Sequence, residues 1–131
     1  MMHDLQLTNT YCLLAHFLAP NKSPERVSAL QTAITDEQIE WGPLVLQANI
    51  QMCTPLWYAR LKQDDLLQHL PQDLQEYLQV LYESNRERNE ELKAGLEELL
   101  AAFEKEGIDS ILLKGAATFV DDLYGAPGAR Y

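Results

Sequence analysis

The chain has 131 residues, with 20 acidic against 10 basic side chains and a net charge of −10. With 47% hydrophobic and 23% charged residues it can bury a core, which excludes a disordered tail. Its acidity disfavours a stand-alone nucleic-acid binder, because phosphate backbones are held by clustered cations.

Two cysteines, Cys12 and Cys53, cannot build the disulfide framework of a small secreted scaffold. No basic-then-apolar leader opens the chain, and no apolar run approaches the roughly 20 residues of a membrane helix. These features predict a cytoplasmic protein in a reducing compartment, without a membrane partner. His3, His16 and His69 have no metal-ligand spacing, and no nucleophile elbow, Walker loop or dinucleotide fingerprint is present.

The elements read as mainly helical. Apolar residues from Leu5 to Leu18 predict a helix over 4–19, stopped by Pro20. Ser23 followed by Pro24 is a helix start, leading into Val27, Leu30 and Ala33. Thr35 or Asp36 is expected to cap a third helix through Ile39, Trp41, Leu44 and Ala48, with Pro43 in its early turns. Thr54–Pro55 restarts the pattern through Trp57 and Leu61, and Asp64–Asp65 opens a short leucine-rich turn.

Residues 71–106 predict one long helix of about 54 Å, ended by Gly107. Its inner stripe is Leu78, Tyr82, Asn85, Asn89, Leu92, Leu96, Leu99 and Phe103, with steps of four and three. The stripe is apolar at both ends and polar in the middle. Asn85 and Asn89 mark either a solvated waist or local break, or amides that hydrogen-bond across an interface or line a cleft. Residues 71–109 hold 11 acids and 4 bases, so most of the acidity is the outer face of this helix.

The period then changes. Ile111, Leu112 and Leu113 lie between Gly107 and Gly115 and read as a strand over 110–114. Ala116 to Leu123 returns to helical spacing. The strand has no in-chain partner in this reading, so it is expected to pack on the long helix, pair with another copy or be poorly ordered. The predicted fold is a helical region, 1–109, followed by a strand–turn–helix over 110–124 that opens a second, α+β unit, 110–131.

A glycine delivered by a strand to the first turn of a helix can cradle phosphate on backbone N–H groups, with Lys114 as an added charge. The surrounding series is Trp41 with Ala48, Pro55–Leu56, Leu70–Pro71, Asn85, Arg88–Asn89, Gly107–Ile108, Leu113–Lys114–Gly115–Ala116, Leu123–Tyr124, Pro127–Gly128 and Arg130. In this order it resembles the uncharacterised nucleotidyltransferase family of the polymerase-beta-like superfamily, over roughly residues 36–131.

The resemblance implies transfer of a nucleotidyl group from a nucleoside triphosphate, assisted by magnesium on an Asp-x-Asp pair. It implies that Lys114, Gly115 and Ala116 belong to the nucleotide turn, and Arg130 to the approach to the acidic motif. Ala116 stands where the superfamily often has serine. The Asp-x-Asp itself is absent, and Asp121–Asp122, adjacent on a helix, would diverge by about 100° rather than converge. The expectation is therefore a truncated, N-terminal piece of such an enzyme, inactive alone and binding no metal. The alternative is a complete acidic helical module that binds a protein partner or a second copy of itself.

Overall fold

A computed structural model describes residues 9–119 and 126–129. Among these the architecture is helical: α1 (Thr10–Leu18), α2 (Pro24–Thr35), α3 (Trp41–Ile50), α4 (Thr54–Gln63) and α5 (Gln72–Lys105). Short 3-10 turns follow α4, at Leu67–His69, and α5, at Lys114–Phe119. The expected start of the first helix at Asp4 lies outside the described residues. Within them, Asn9 caps α1 by accepting from Tyr11 N and Cys12 N at 3.0 and 3.2 Å.

Helix α4 is the centre of the bundle, packed against α1, α3 and α5. It delivers Trp57, fully buried, onto Phe17 of α1, with ring centroids 5.8 Å apart. Leu30 and Ala33 of α2, Leu44 and Ala48 of α3, Leu61 of α4, and Leu74 and Leu78 of α5 complete the same core. The apolar spacing read from the sequence is thus the set of faces turned into this core. The first two turns of α5 join this core, and the rest of the helix runs past it with Leu92 and Leu99 half exposed.

Helix α3 begins later than expected. Asp36 closes α2, and the segment through Ile39 is not helical. Pro43 supplies the reason: a helix already running from Asp36 would need its missing N–H, whereas a start at Trp41 places it among the first four donors, which have no intrahelical partner.

Four helices end in the same way. After α2, α3, α4 and α5 the residue beyond the cap is left-handed: Glu37 (φ 53°), Met52 (φ 55°), Asp65 (φ 54°) and Gly107 (φ 68°). Paired bonds close each turn, as in Gln38 N to Ala33 O at 3.0 Å with Glu37 N to Ile34 O at 3.2 Å. Only α5 uses glycine there. Glu37→Gly is therefore expected to stabilise the fold by about 0.5–1 kcal/mol, relief of left-handed strain outweighing the extra freedom of the unfolded chain. Urea denaturation checks the sign.

A buried ion pair ties the α1–α2 connection to the end of α4. The Lys22 ammonium, with no exposed side-chain surface, donates to Asp64 Oδ2 at 2.5 Å and to Ala19 O at 2.7 Å. Arg60 Nε donates to Leu18 O at 3.2 Å beside it.

The expected strand is not formed among the described residues. Residues 108–113 are non-helical and unpaired into a sheet, with Ile111 86% and Leu113 71% exposed. A strand needs a neighbour for its backbone groups, and no described segment lies alongside in strand conformation. The helix expected from Ala116 is a 3-10 turn, Lys114–Phe119, as far as Phe119. There the Thr118 hydroxyl donates to Gly115 O at 2.6 Å, a local bond that competes with the α-helical ladder. Residues 120–125, including Asp121, Asp122 and Leu123–Tyr124, lie outside the described residues.

Candidate functional site

The candidate site has two parts: the Lys114 turn that follows α5, and a set of polar side chains at the middle of α5 itself. Tyr82, Asn85 and Asn89 are spaced i, i+3 and i+7, which puts them on one stripe. Asn85 and Asn89 are 5% and 3% exposed, so the waist is not solvated. Asn85 Nδ2 donates to Gly128 O, and Asn89 Nδ2 donates to Pro127 O, both at 2.9 Å. Gly128 N in turn donates to Tyr82 Oη at 3.3 Å. The two amides therefore bond across an interface within the chain, to a turn about 40 residues downstream.

The fit at Gly128 is close. A Cβ there would stand 2.7 Å from Tyr82 Cε2 and Cζ and 2.9 Å from Tyr82 O. Tyr82 is backed by Tyr58 of α4, ring centroids 4.9 Å apart, and Lys62 Nζ stands 5.8 Å from the Tyr58 ring. Burial and the nearby Glu83 carboxylate push the Tyr58 phenol above its usual range, so it is neutral and apolar in this stack. The clamp on the Pro127–Gly128 turn thus rests on the central helix.

Beyond α5 the chain is held against that helix at two points. Ile108 N donates to Phe103 O at 2.8 Å, fixing one end. About 21 Å of helix separates Phe103 from Asn89, where the other end is held. In sequence, the Lys114 turn lies between the two anchored points. Lys114 is left-handed (φ 51°) and exposed, while Gly115 and Ala116 are half-buried. Ala116 N donates to Leu113 O at 3.2 Å, so that backbone donor closes the turn. Of the residues expected to contact nucleotide, Lys114, Gly115 and Ala116 are adjacent here, and Arg130 lies outside the described residues.

The clamp was half visible in the sequence. Two asparagines in an otherwise leucine seam signal a polar contact, but their partners are backbone carbonyls, which leave no mark in side-chain pattern. A separate apolar cleft of about 420 Å³ lies where α3 and α5 begin, lined by Trp41, Val45, Pro71, Leu74 and Tyr77 among others. None of the sequence-predicted site residues lines it.

Among the described residues no group of three or more His, Cys, Asp or Glu side chains is placed to hold a metal ion. Burial pushes the Cys53 thiol up, away from thiolate chemistry. No described helix is long and apolar enough to cross a membrane.

The family model described as uncharacterised nucleotidyltransferase matches residues 37–131. The chain belongs to that family. The match takes in α3, α4, α5, the Lys114 turn and the Pro127–Gly128 turn, so all of the clamp is nucleotidyltransferase-family sequence. Comparison with curated proteins and with solved structures gave no match.

Proposed function

We propose that this chain carries the triphosphate-binding turn of a polymerase-beta-like nucleotidyltransferase together with its helical support, and that it does not catalyse transfer alone. The observation that carries this reading is the family match across residues 37–131, which spans Lys114 to Arg130. Its substrate is a nucleoside triphosphate, and it works in the cytoplasm. Lys114 offers an exposed ammonium on a tight turn, a point charge for phosphate oxygens. Residues 110–131 hold 2 acids and 2 bases, so the acidity of α5 is not repeated in this segment.

Magnesium is the family's implied cofactor, and the residues present do not fit it. The sequence has no Asp-x-Asp, and the described carboxylates do not converge. The chain's own part is then to bind and orient phosphate, and transfer requires carboxylates that it does not supply.

Calorimetric titration with ATP, GTP, CTP and UTP tests the reading. Binding is expected with at least one. Lys114→Ala should weaken it about tenfold, the loss of one charge-assisted contact worth about 1.4 kcal/mol. Magnesium binding by the chain without nucleotide would mean that the chain holds the metal itself and would overturn the fragment reading. Absence of any binding would favour a second reading, an acidic helical module that docks a protein partner or a second copy. The exposed Leu92, Leu99, Ile111 and Leu113 are the observation in its favour.

A further inference from the structure

We propose that the distal half of α5 docks a second copy of this chain, antiparallel, along a stripe that runs from Arg88 to Glu106. The inference goes beyond the nucleotide reading and does not rest on it, because the stripe contains none of Lys114, Gly115 or Ala116.

The stripe is a row of side chains that the described chain leaves uncovered. Arg88, Leu92, Gly95, Leu99, Ala102 and the C-cap Glu106 follow one another in steps of four and three, so they share one face of α5 over about 27 Å. All six are exposed, Leu92 at 47% and Leu99 at 49%. Leu96 and Phe103, in the neighbouring row of the same seam, are half-buried. One row is thus partly covered within the chain and the other is not.

Gly95 is the least expected member. Glycine is among the poorest residues for a helix interior, and a Cβ at this position would meet nothing within 4 Å. No contact within the described chain asks for its small size. The row itself does: leucine alternates with a small residue, and a cation stands at one end with a carboxylate at the other.

That order is its own complement. Two copies laid antiparallel about a two-fold axis at residue 97 bring Leu92 over Ala102 of the second copy, Leu99 over its Gly95 and Arg88 against its Glu106. The symmetry repeats each pair. Large side chains then sit over small ones, and each end gains an opposite charge. Neither Arg88 nor Glu106 is in an ion pair among the described residues, so each is available to a partner. A parallel arrangement would set Arg88 beside Arg88, Glu106 beside Glu106 and glycine opposite glycine. The strip is one side chain wide, below the roughly 800 Å² per partner of a stable dimer, so the association is weak, with a Kd of about 100 μM. Glu98, which lies beside the axis and repels its own copy, weakens it further.

Sedimentation velocity on the full chain tests the inference, from about 10 μM to about 1 mM and in about 0.15 M salt to screen the net charge of −10. A reversible monomer–dimer equilibrium is expected. Arg88→Glu and Glu106→Arg should each weaken it at least about tenfold, because each sets like charges together twice. An equimolar mixture of these two variants should regain the parent's affinity within about threefold, since every end pair is again opposite in sign. Gly95→Leu, which crowds the axis, should weaken association at least about tenfold while raising urea stability through better helix propensity, so loss of folding does not imitate the result. A chain still monomeric at about 1 mM overturns the inference and leaves the stripe to a different partner. So does a dimer indifferent to Gly95→Leu, or a mixture that does not regain association, the sign of a contact elsewhere or in another register. Absence of nucleotide binding leaves these outcomes unchanged, so the two readings fail separately.

Discussion

Gly128→Ala is expected to release the Ala126–Ala129 turn from the long helix while leaving the five helices folded. The added Cβ would meet the Tyr82 ring at 2.7 Å and the Tyr82 carbonyl oxygen at 2.9 Å. The ring could tilt, but it is packed on Tyr58, and the carbonyl belongs to the rigid backbone of α5. Overpacking of this kind costs about 2–3 kcal/mol, which shifts the docking equilibrium by roughly 30–150-fold. The loss is capped by what docking itself contributes, because the turn can leave. The thermal midpoint is therefore expected to move little, and the amides of Gly128 and Ala129 to exchange much faster. Native-state hydrogen exchange by NMR checks both, with α4 amides as the internal reference.

Asp64→Asn should be the more damaging change for the fold as a whole. It leaves the Lys22 ammonium buried with only the Ala19 carbonyl and an amide for company. Breaking a buried pair in this way costs about 3 kcal/mol, or roughly 10 °C in thermal midpoint for a chain of this size. The double change Lys22→Met/Asp64→Leu, which removes both charges and restores apolar contact, should recover most of the loss.

The pH dependence has a definite sign. Burial lowers the Lys22 pKa, and the hydrogen bond and charge of Asp64 only partly oppose it. The unfolded chain thus holds its proton more tightly than the folded one, so the contribution of Lys22 to stability rises with pH between the lowered pKa and 10.5. Tyr58, whose pKa is raised, acts in the opposite sense above pH 10. Stability measured against Lys22→Met isolates the lysine. In Asp64→Asn the rise should begin at lower pH, since the opposing charge is gone.

What could be read from the sequence was whatever is decided within a few residues. Ser23–Pro24, Thr54–Pro55 and Gly107 set helix ends by local sterics and hydrogen bonding, and α2, α4 and α5 begin or end where these residues place them. The seam of α5 was legible because its period is that of the helix. Helix α3 was placed too early because apolar spacing through Ile39 outweighed the constraint from Pro43. The strand over 110–114 was inferred from a short apolar run between two glycines, and a local pattern does not supply the neighbour that a strand must pair with. The clamp needed the fold: only the tertiary structure brings Pro127 and Gly128 to Asn89 and Asn85.

That long-range contact bears on the order of folding. The bonds from Asn85 and Asn89 close loops of 43 and 38 residues, and they do so with few apolar contacts behind them. Closing a loop of that size is unfavourable until native contacts compensate for it, so the helical core is expected to form first and the Pro127–Gly128 turn to dock afterwards. In the native state the same asymmetry makes the turn easier to open than the helical core. A unit that opens well below the global unfolding free energy can change its exposure without the core changing at all.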